Sequence, residues 1–134
     1  MGRFFSLVQI KNNGSREQFL KAFCDVMKKR SLVPCSEKES SVSYILAFSE
    51  SGKWVTLASK EYRDNPKQVK DDAKQTAAEM KTSSFSMDVV DSDWTYIELH
   101  TGADVHDTVM VGRSEFDEEH SPKGRRECWE PILA

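Results

Sequence analysis

The amino-acid sequence predicts an α+β fold built around one antiparallel sheet. Two observations support this prediction. Segments with the 3.6-residue period of helices alternate with segments of period two, and the segments follow in the order strand, helix, strand, strand, helix, strand. The length of 134 residues corresponds to one domain and suffices to bury a core without disulfides or metals.

The first strand and the first helix are separated by a turn. The apolar segment Phe4–Ile10 predicts a strand, which the turn-forming residues 12–14 (Asn-Asn-Gly) end. Ser15 and Gln18 form a capping box, because each side chain satisfies a backbone donor of the first helical turn. A helix over residues 16–30 follows. Its apolar face comprises Leu20, Phe23, Cys24 and Met27, with Phe19 on the flank.

A hairpin and a second helix come next. Residues 42–48 and 54–59 are rich in β-branched and aromatic side chains, and residues 50–52 (Glu-Ser-Gly) supply the turn between them. Asn65 followed by Pro66 starts a helix, since Asn caps the first turn and Pro needs no amide partner there. One narrow stripe of mostly small residues then recurs at helical spacing: Val69, Ala73, Thr76, Ala77 and Met80.

Three more strand-like segments complete the pattern, at residues 85–90, 94–100 and 108–111. The whole order predicts a ferredoxin-like (split βαβ) two-layer sandwich: two helices cover one face of the antiparallel sheet, and one or two C-terminal hairpin strands extend it. We expect this domain to span residues 1–112. Residues 113–134 are expected to be a charged linker and an apolar C-terminal segment, which either folds back on the domain or is the cut end of a longer chain.

Charge is distributed unevenly along the chain. Residues 1–35 have a net charge of +5 and the remainder −8, although the total is only −3. The imbalance is steepest in residues 84–119, where ten carboxylates accompany the single cation Arg113. Such a segment repels phosphates, which argues against nucleic acid as a partner and favours a basic protein. The simplest alternative is an acidic face that keeps the domain soluble.

No catalytic motif is present. Cys24, Cys35 and Cys128 are odd in number and widely spaced, which indicates neither a disulfide framework nor a zinc site. We expect Cys24 to be a small buried hydrophobe. The sequence has no GxSxG, phosphate-binding glycine loop or HExxH motif, and we expect His100 and His106 to lie on the surface.

Membrane and RNA partners are also disfavoured. No segment approaches the roughly 18 apolar residues of a membrane helix, and the first residues do not form a secretory signal, so a cytoplasmic location is expected. The third strand, residues 54–59, lacks the glycine and paired aromatics of an RNA-recognition domain.

Candidate binding residues cluster on the last strands. Trp54, Trp94 and Tyr96 would line a ligand pocket if they share the uncovered face of the sheet. The polar residues that would accompany them are Glu98, His100, Asp91 and Asp93. The carboxylates in successive turns lie a strand length apart and lack the EF-hand pattern, so we expect no metal site and no cofactor.

One part of the chain resembles known sequences. The segments Lys53-Trp54-Val55-Thr56-Leu57, Ala77-Ala78-Glu79-Met80 and Val89-Val90-Asp91-Ser92-Asp93 follow in the order strand, helix and turn. This succession, over about residues 44–100, resembles a group of uncharacterised bacterial proteins and the amino-terminal portion of longer chains. The resemblance implies no activity.

The sequence therefore leads to two functional hypotheses. The first is a non-enzymatic protein-interaction module, of an accessory or immunity type, that binds a basic partner through its acidic sheet extension or its aromatic face. The second is a binder or hydrolase of small molecules or metals that uses the aromatic face with Asp91, Asp93 or His100. The oligomeric state is left open, and a dimer is compatible with the sequence.

Overall fold

Six strands and three helices make up the described part of the protein, for which we use a computed structural model. The structure describes residues 4–39, 42–59, 66–90, 94–101, 104–112 and 123–133. In chain order the elements are β1 (Phe4–Lys11), α1 (Arg16–Lys29), β2 (Tyr44–Phe48), β3 (Trp54–Ser59), α2 (Pro66–Glu79), β4 (Ser83–Val90), β5 (Trp94–Thr101), β6 (Asp104–Gly112) and α3 (Arg126–Leu133). A 3₁₀ turn, Glu37–Glu39, lies between α1 and β2.

All six strands form one open antiparallel sheet in the order β2-β3-β1-β4-β5-β6. In its centre, Val8 of β1 lies between Leu57 of β3 and Ser86 of β4. The strands β5 and β6 extend the sheet beyond β4. The predicted α+β class and the extension of the sheet are thus confirmed.

Local sequence features account for where the helices begin. The Ser15 hydroxyl accepts a hydrogen bond from the Gln18 backbone N–H at 3.1 Å, and the Gln18 side chain accepts one from the Ser15 N–H at 2.7 Å. The predicted capping box is therefore confirmed. The second helix begins at Pro66 as predicted, while Asn65 lies outside the described residues.

The core contains side chains from the central strands and from both long helices. We call the sheet face that bears Val8, Ile10, Val55 and Leu57 the core face. These four residues form one buried cluster with Phe19 and Phe23 of α1 and with Val69, Ala73 and Ala77 of α2. The apolar stripe predicted for α2 is confirmed, because its first four members are buried and Met80 packs against the cluster.

The prediction for the centre of the apolar face of α1 is wrong. The buried residues are Phe19, Phe23 and Val26, whereas Leu20 is 38% exposed. Helical spacing allows either the predicted set or the observed set to face the core. Contact with β1, β3 and α2 selects the observed set, which is centred on Phe23. Cys24 and Met27 are half-buried at the margin of this face, and Met27 also packs against the core cluster.

The polar side of β4 is the buried one. Ser84, Ser86 and Asp88 pair with core-face positions of β1, and all three are buried. Small side chains of α2, such as Ala77, leave little room above this strand, so serine fits where a larger apolar residue would not. The larger side chains of β4 occupy the opposite face.

The last described segment is a helix on that opposite face. The ring centroid of Trp129 in α3 lies 6.1 Å from that of Phe85 in β4, and Cys128 is buried. The Lys11 ammonium also donates a hydrogen bond to the Ile132 carbonyl at 2.7 Å. Residues 113–122 of the predicted linker lie outside the described residues. None of the described helices is long and apolar enough to span a membrane.

Candidate functional site

The predicted binding residues lie on both faces of the sheet. Tyr96, Glu98 and His100 share the core face of β5, because their partners on β4 are Asp88, Ser86 and Ser84, the buried side of that strand. These three predicted residues are therefore directed toward the α2 side of the sheet.

Trp54 lies on the opposite face, where its ring centroid is 5.5 Å from that of Phe85. Trp94 begins β5 opposite Val90. Asp91 and Asp93 lie outside the described residues. The structure therefore separates Trp54 from Tyr96, Glu98 and His100, and these four do not line a common pocket.

The three β5 residues form a hydrogen-bonded column. Nε2 of His100 lies 2.6 Å from Oε1 of Glu98, and only 2% of His100 is exposed, so the expectation of a surface histidine is wrong. The hydrogen bond with His100 lowers the pKa of Glu98 to about 2; burial opposes this shift, and a hydrogen bond from Tyr96 assists it. Burial raises the pKa of Tyr96 to about 12, with further contributions from Glu98 and Asp88.

A second polar cluster ties β4 to α2 and β1. Asp88 forms an ion pair with Lys70 of α2 and accepts a hydrogen bond of 2.6 Å from the Ser6 hydroxyl. The Ser84 hydroxyl is buried and has no hydrogen-bond partner in the part of the chain that the structure describes. Because Ser84 is only 1% exposed, a substrate cannot reach it. These contacts connect β4 to α2 and β1.

The acidic character of the extension is partly neutralised internally. Of the ten carboxylates between residues 84 and 119, the structure describes Asp88, Glu98, Asp104 and Asp107. Burial by itself would raise the pKa of Asp107, but hydrogen bonds from the Arg125 backbone and the Trp129 indole lower it. Asp88, Glu98 and Asp107 thus have internal partners, and Asp104 is exposed.

The two edges of the sheet differ. Along β6, Val109 forms a β-bridge with Lys123, and the Arg125 guanidinium donates a 2.8 Å hydrogen bond to the His106 carbonyl. The segment before α3 therefore covers part of this edge. The register between β5 and β6 also shifts after Leu99, which interrupts the regular ladder.

The β2 edge has no such cover among the described residues. The Ser49 N–H donates to the Trp54 carbonyl at 2.8 Å, so Ser49 and Trp54 are a hydrogen-bonded pair. Backbone groups alternate in antiparallel strands, so those of Leu46 and Phe48 point away from β3. No described strand pairs with them on the outer side. The strand Tyr-Ile-Leu-Ala-Phe contains no charge and no proline.

An apolar groove borders this edge on the α1 side. Its volume is about 410 Å³, within the range of ligand sites. Residues of α1, of the following loop and of the start of β2 line it: Phe23, Cys24, Met27, Leu32, Val33, Pro34, Cys35, Val42, Ser43 and Tyr44. Phe23, Cys24 and Met27 of α1 form one wall. The apolar stripe of α1 is thus wider than contact with the core requires. This excess width is the feature of the sequence that could have indicated the groove.

A buried carboxylate holds the groove's aromatic wall in place. Asp72 of α2 is 1% exposed and accepts hydrogen bonds of 2.5 Å from both the Tyr44 hydroxyl and the Arg30 guanidinium. The Tyr44 ring packs edge to face against Phe23, with centroids 5.3 Å apart. This side of the groove is therefore fixed before any ligand binds.

The cysteines and acidic residues do not form a metal centre in the described structure. Cys24 is half-buried and Cys35 is exposed, and both border the groove; full burial of Cys24 was expected and is not found. In the described ranges, no group of three or more His, Cys, Asp or Glu side chains is placed to hold a metal ion. The lining of the groove is thus chiefly apolar.

Comparison with known proteins adds no activity. No protein-family model, curated protein or solved structure matches this chain. The resemblance of residues 44–100 to uncharacterised bacterial proteins therefore remains a prediction, and the function must be argued from the geometry.

Proposed function

We propose that the protein is a non-enzymatic interaction module that binds an extended segment of a partner protein along β2. The difference between the two sheet edges supports this proposal. The β6 edge is partly covered by residues 123–125, whereas the β2 edge is neutral, uncovered in the described structure and bordered by an apolar groove. Exposed edge strands are templates for pairing with another chain.

Binding would combine backbone pairing with an apolar anchor. The outward N–H and C=O groups of Leu46 and Phe48 are positioned to pair with a partner strand. Side chains of an added strand alternate between the faces of the sheet, so every second one would point toward α1. A groove of about 410 Å³ accommodates one large apolar side chain there. Backbone pairing would supply affinity, and the groove would select the anchor residue.

We also propose that the first six elements form a ferredoxin-like, split βαβ sandwich. The strand order β2-β3-β1-β4 with antiparallel neighbours supports this assignment. In this arrangement α1 lies over the β2 side of the sheet, which agrees with the contacts of Phe19 with Phe48 and of Phe23 with Tyr44. The groove is then the space between α1 and an edge strand.

The other hypotheses have less support from the geometry. A binding site on the aromatic face would need Trp54 beside Tyr96 or His100, and these lie on opposite faces. Binding of a basic protein by the acidic extension would rely on carboxylates, three of which have internal partners in the described structure. In the described structure, the outward backbone groups of Leu46 and Phe48 have no strand partner that a bound segment would displace.

The test is a selection of peptides from a displayed random library on the immobilised full chain. We expect enriched peptides with strand-forming residues and an apolar anchor. N-methylation at alternate amides of a selected peptide should abolish binding, because those amides donate to β2, while methylation at the intervening amides should have little effect. No enrichment over an unrelated protein, or binding that is indifferent to N-methylation, would refute the proposal.

Matched variants locate the site. Val33→Glu places a charge in the lining of the groove and should weaken peptide binding about tenfold or more, whereas Val111→Glu on β6 should leave it unchanged. Both replaced residues are exposed apolar side chains, so the two variants differ chiefly in location. Equal effects of the two substitutions would place the binding site elsewhere.

A further inference from the structure

We infer that a second copy of this chain pairs with β2 when no partner segment is bound, forming a twofold dimer with a continuous sheet. This inference rests on the proposed function of β2 as a pairing edge and names an additional occupant for it. It depends on the composition of β2, on the symmetry of its outward backbone groups and on where the exposed apolar residues lie.

Natural sheet edges usually carry devices that prevent pairing, such as charges, proline, bulges or a covering segment. The β6 edge has several: Asp104 and Asp107, a register shift from β5 and the bridge with Lys123. The β2 strand has neither charge nor proline, and its register with β3 is regular. An edge left without these devices is suited to pairing.

The outward groups of β2 fit an antiparallel copy of the same strand. A twofold axis through Leu46 places this residue opposite its own counterpart, with the outward N–H and C=O of each facing the other. The same register sets Ile45 opposite Ala47 of the second copy, a large side chain against a small one. Because the strand is uncharged, the symmetric pairing brings no like charges together.

Exposed apolar residues lie on both faces of this edge. Six large apolar side chains are exposed in the described part of the chain: Leu20, Val33, Ile45, Val105, Val111 and Leu133. Of these, Ile45 lies in β2 itself and is 66% exposed, and Val33 lines the groove beside it. Ile45 lies on the face opposite α1, while Val33 lines the groove on the α1 side, so a second copy would cover apolar surface on both faces. Burial of that surface would stabilise the dimer beyond the backbone hydrogen bonds.

The test is sedimentation of the full chain from low micromolar to several hundred micromolar concentration. We expect a dimer that Ile45→Lys weakens about a hundredfold, because the change occurs twice in the interface at about tenfold each. Val111→Lys, an equivalent change at a 58% exposed residue of β6, should leave the dimer intact. Circular dichroism of both variants establishes that they are folded.

The outcomes separate the inference from the proposed function. A wild-type chain that stays monomeric at every concentration overturns the dimer, and so does a dimer that persists in folded Ile45→Lys. In either case, peptides selected on the chain that still bind leave the proposed function standing. A selected peptide that converts the dimer to monomers supports a shared edge, whereas a peptide bound to an intact dimer contradicts it.

Discussion

Replacing Glu98 by Gln should make the protein less sensitive to acid. Glu98 accepts a hydrogen bond from His100 on the core face of β5, and this contact lowers its pKa to about 2. Glutamine has nearly the same shape and can still hydrogen-bond to the imidazole, but it cannot lose a proton. The variant therefore removes the ionisation of residue 98 while keeping its neighbours in place.

The magnitude of the stabilisation by ionised Glu98 follows from its pKa shift. The ordinary pKa of 4.5 falls to about 2 in the folded protein, and each unit corresponds to about 1.4 kcal/mol. Because the folded pKa is the lower one, ionised Glu98 stabilises the fold above pH 4.5. That stabilisation, up to about 3 kcal/mol, is lost progressively as the pH falls from 4.5 to 2. The Glu98 side chain is 21% exposed, so solvent screening reduces this value only in part.

Urea unfolding at a series of pH values between 7 and 2 measures this contribution. We expect the free-energy difference between wild type and Glu98→Gln to shrink as the pH falls below 4.5. Glu50→Gln in the exposed turn before β3 is the control, and its difference from wild type should not change with pH. If Glu98→Gln and wild type instead lose stability in parallel below pH 4.5, the reasoning about Glu98 is refuted.

Three further substitutions test the core, the last helix and the polar column. Phe19→Ala should lower the free energy of unfolding by about 3–5 kcal/mol in urea, because Phe19 is fully buried; a loss below 1 kcal/mol would contradict its core position. Gly124→Ala should speed amide exchange in Arg126–Leu133 but not in β1, because Gly124 has φ +77° and a Cβ there would lie 2.5 Å from Val109 Cγ2; unchanged exchange would mean that α3 does not depend on this contact. In an ultraviolet titration of the tyrosines, Tyr96→Phe should remove one ionisation near pH 12. Loss of an ionisation near pH 10 instead would contradict the burial of Tyr96.

The elements of the fold were largely predictable because their determinants are local. The Ser15–Gln18 capping box fixes the start of α1 within four residues of sequence, and Pro66 fixes the start of α2. Alternation of side chains correctly predicted strands at β4 and β5. The strand β6 is longer than predicted, beginning at Asp104, because pairing with β5 extends it into polar residues.

The candidate site was not predictable in the same way. The helical position of Cys24 and Met27 is compatible with facing the core or an edge of the sheet, and only the contacts of α1 with β2 place them in the groove lining. His100 has an ordinary sequence context for a surface residue. It is buried because pairing with Ser84 places it on the core face.

The sequence alone therefore determined the α+β class, the positions of most elements and the unequal distribution of charge, since these depend on neighbouring residues and composition. The tertiary structure decided which face of each strand is buried, which carboxylates are neutralised and which sheet edge stays open. Those properties depend on contacts between residues far apart in the chain, such as Asp72 with Tyr44 and Asp107 with Trp129. Local patterns contain no information about such partners, and the β2 edge became a candidate site only once its neighbours in space were known.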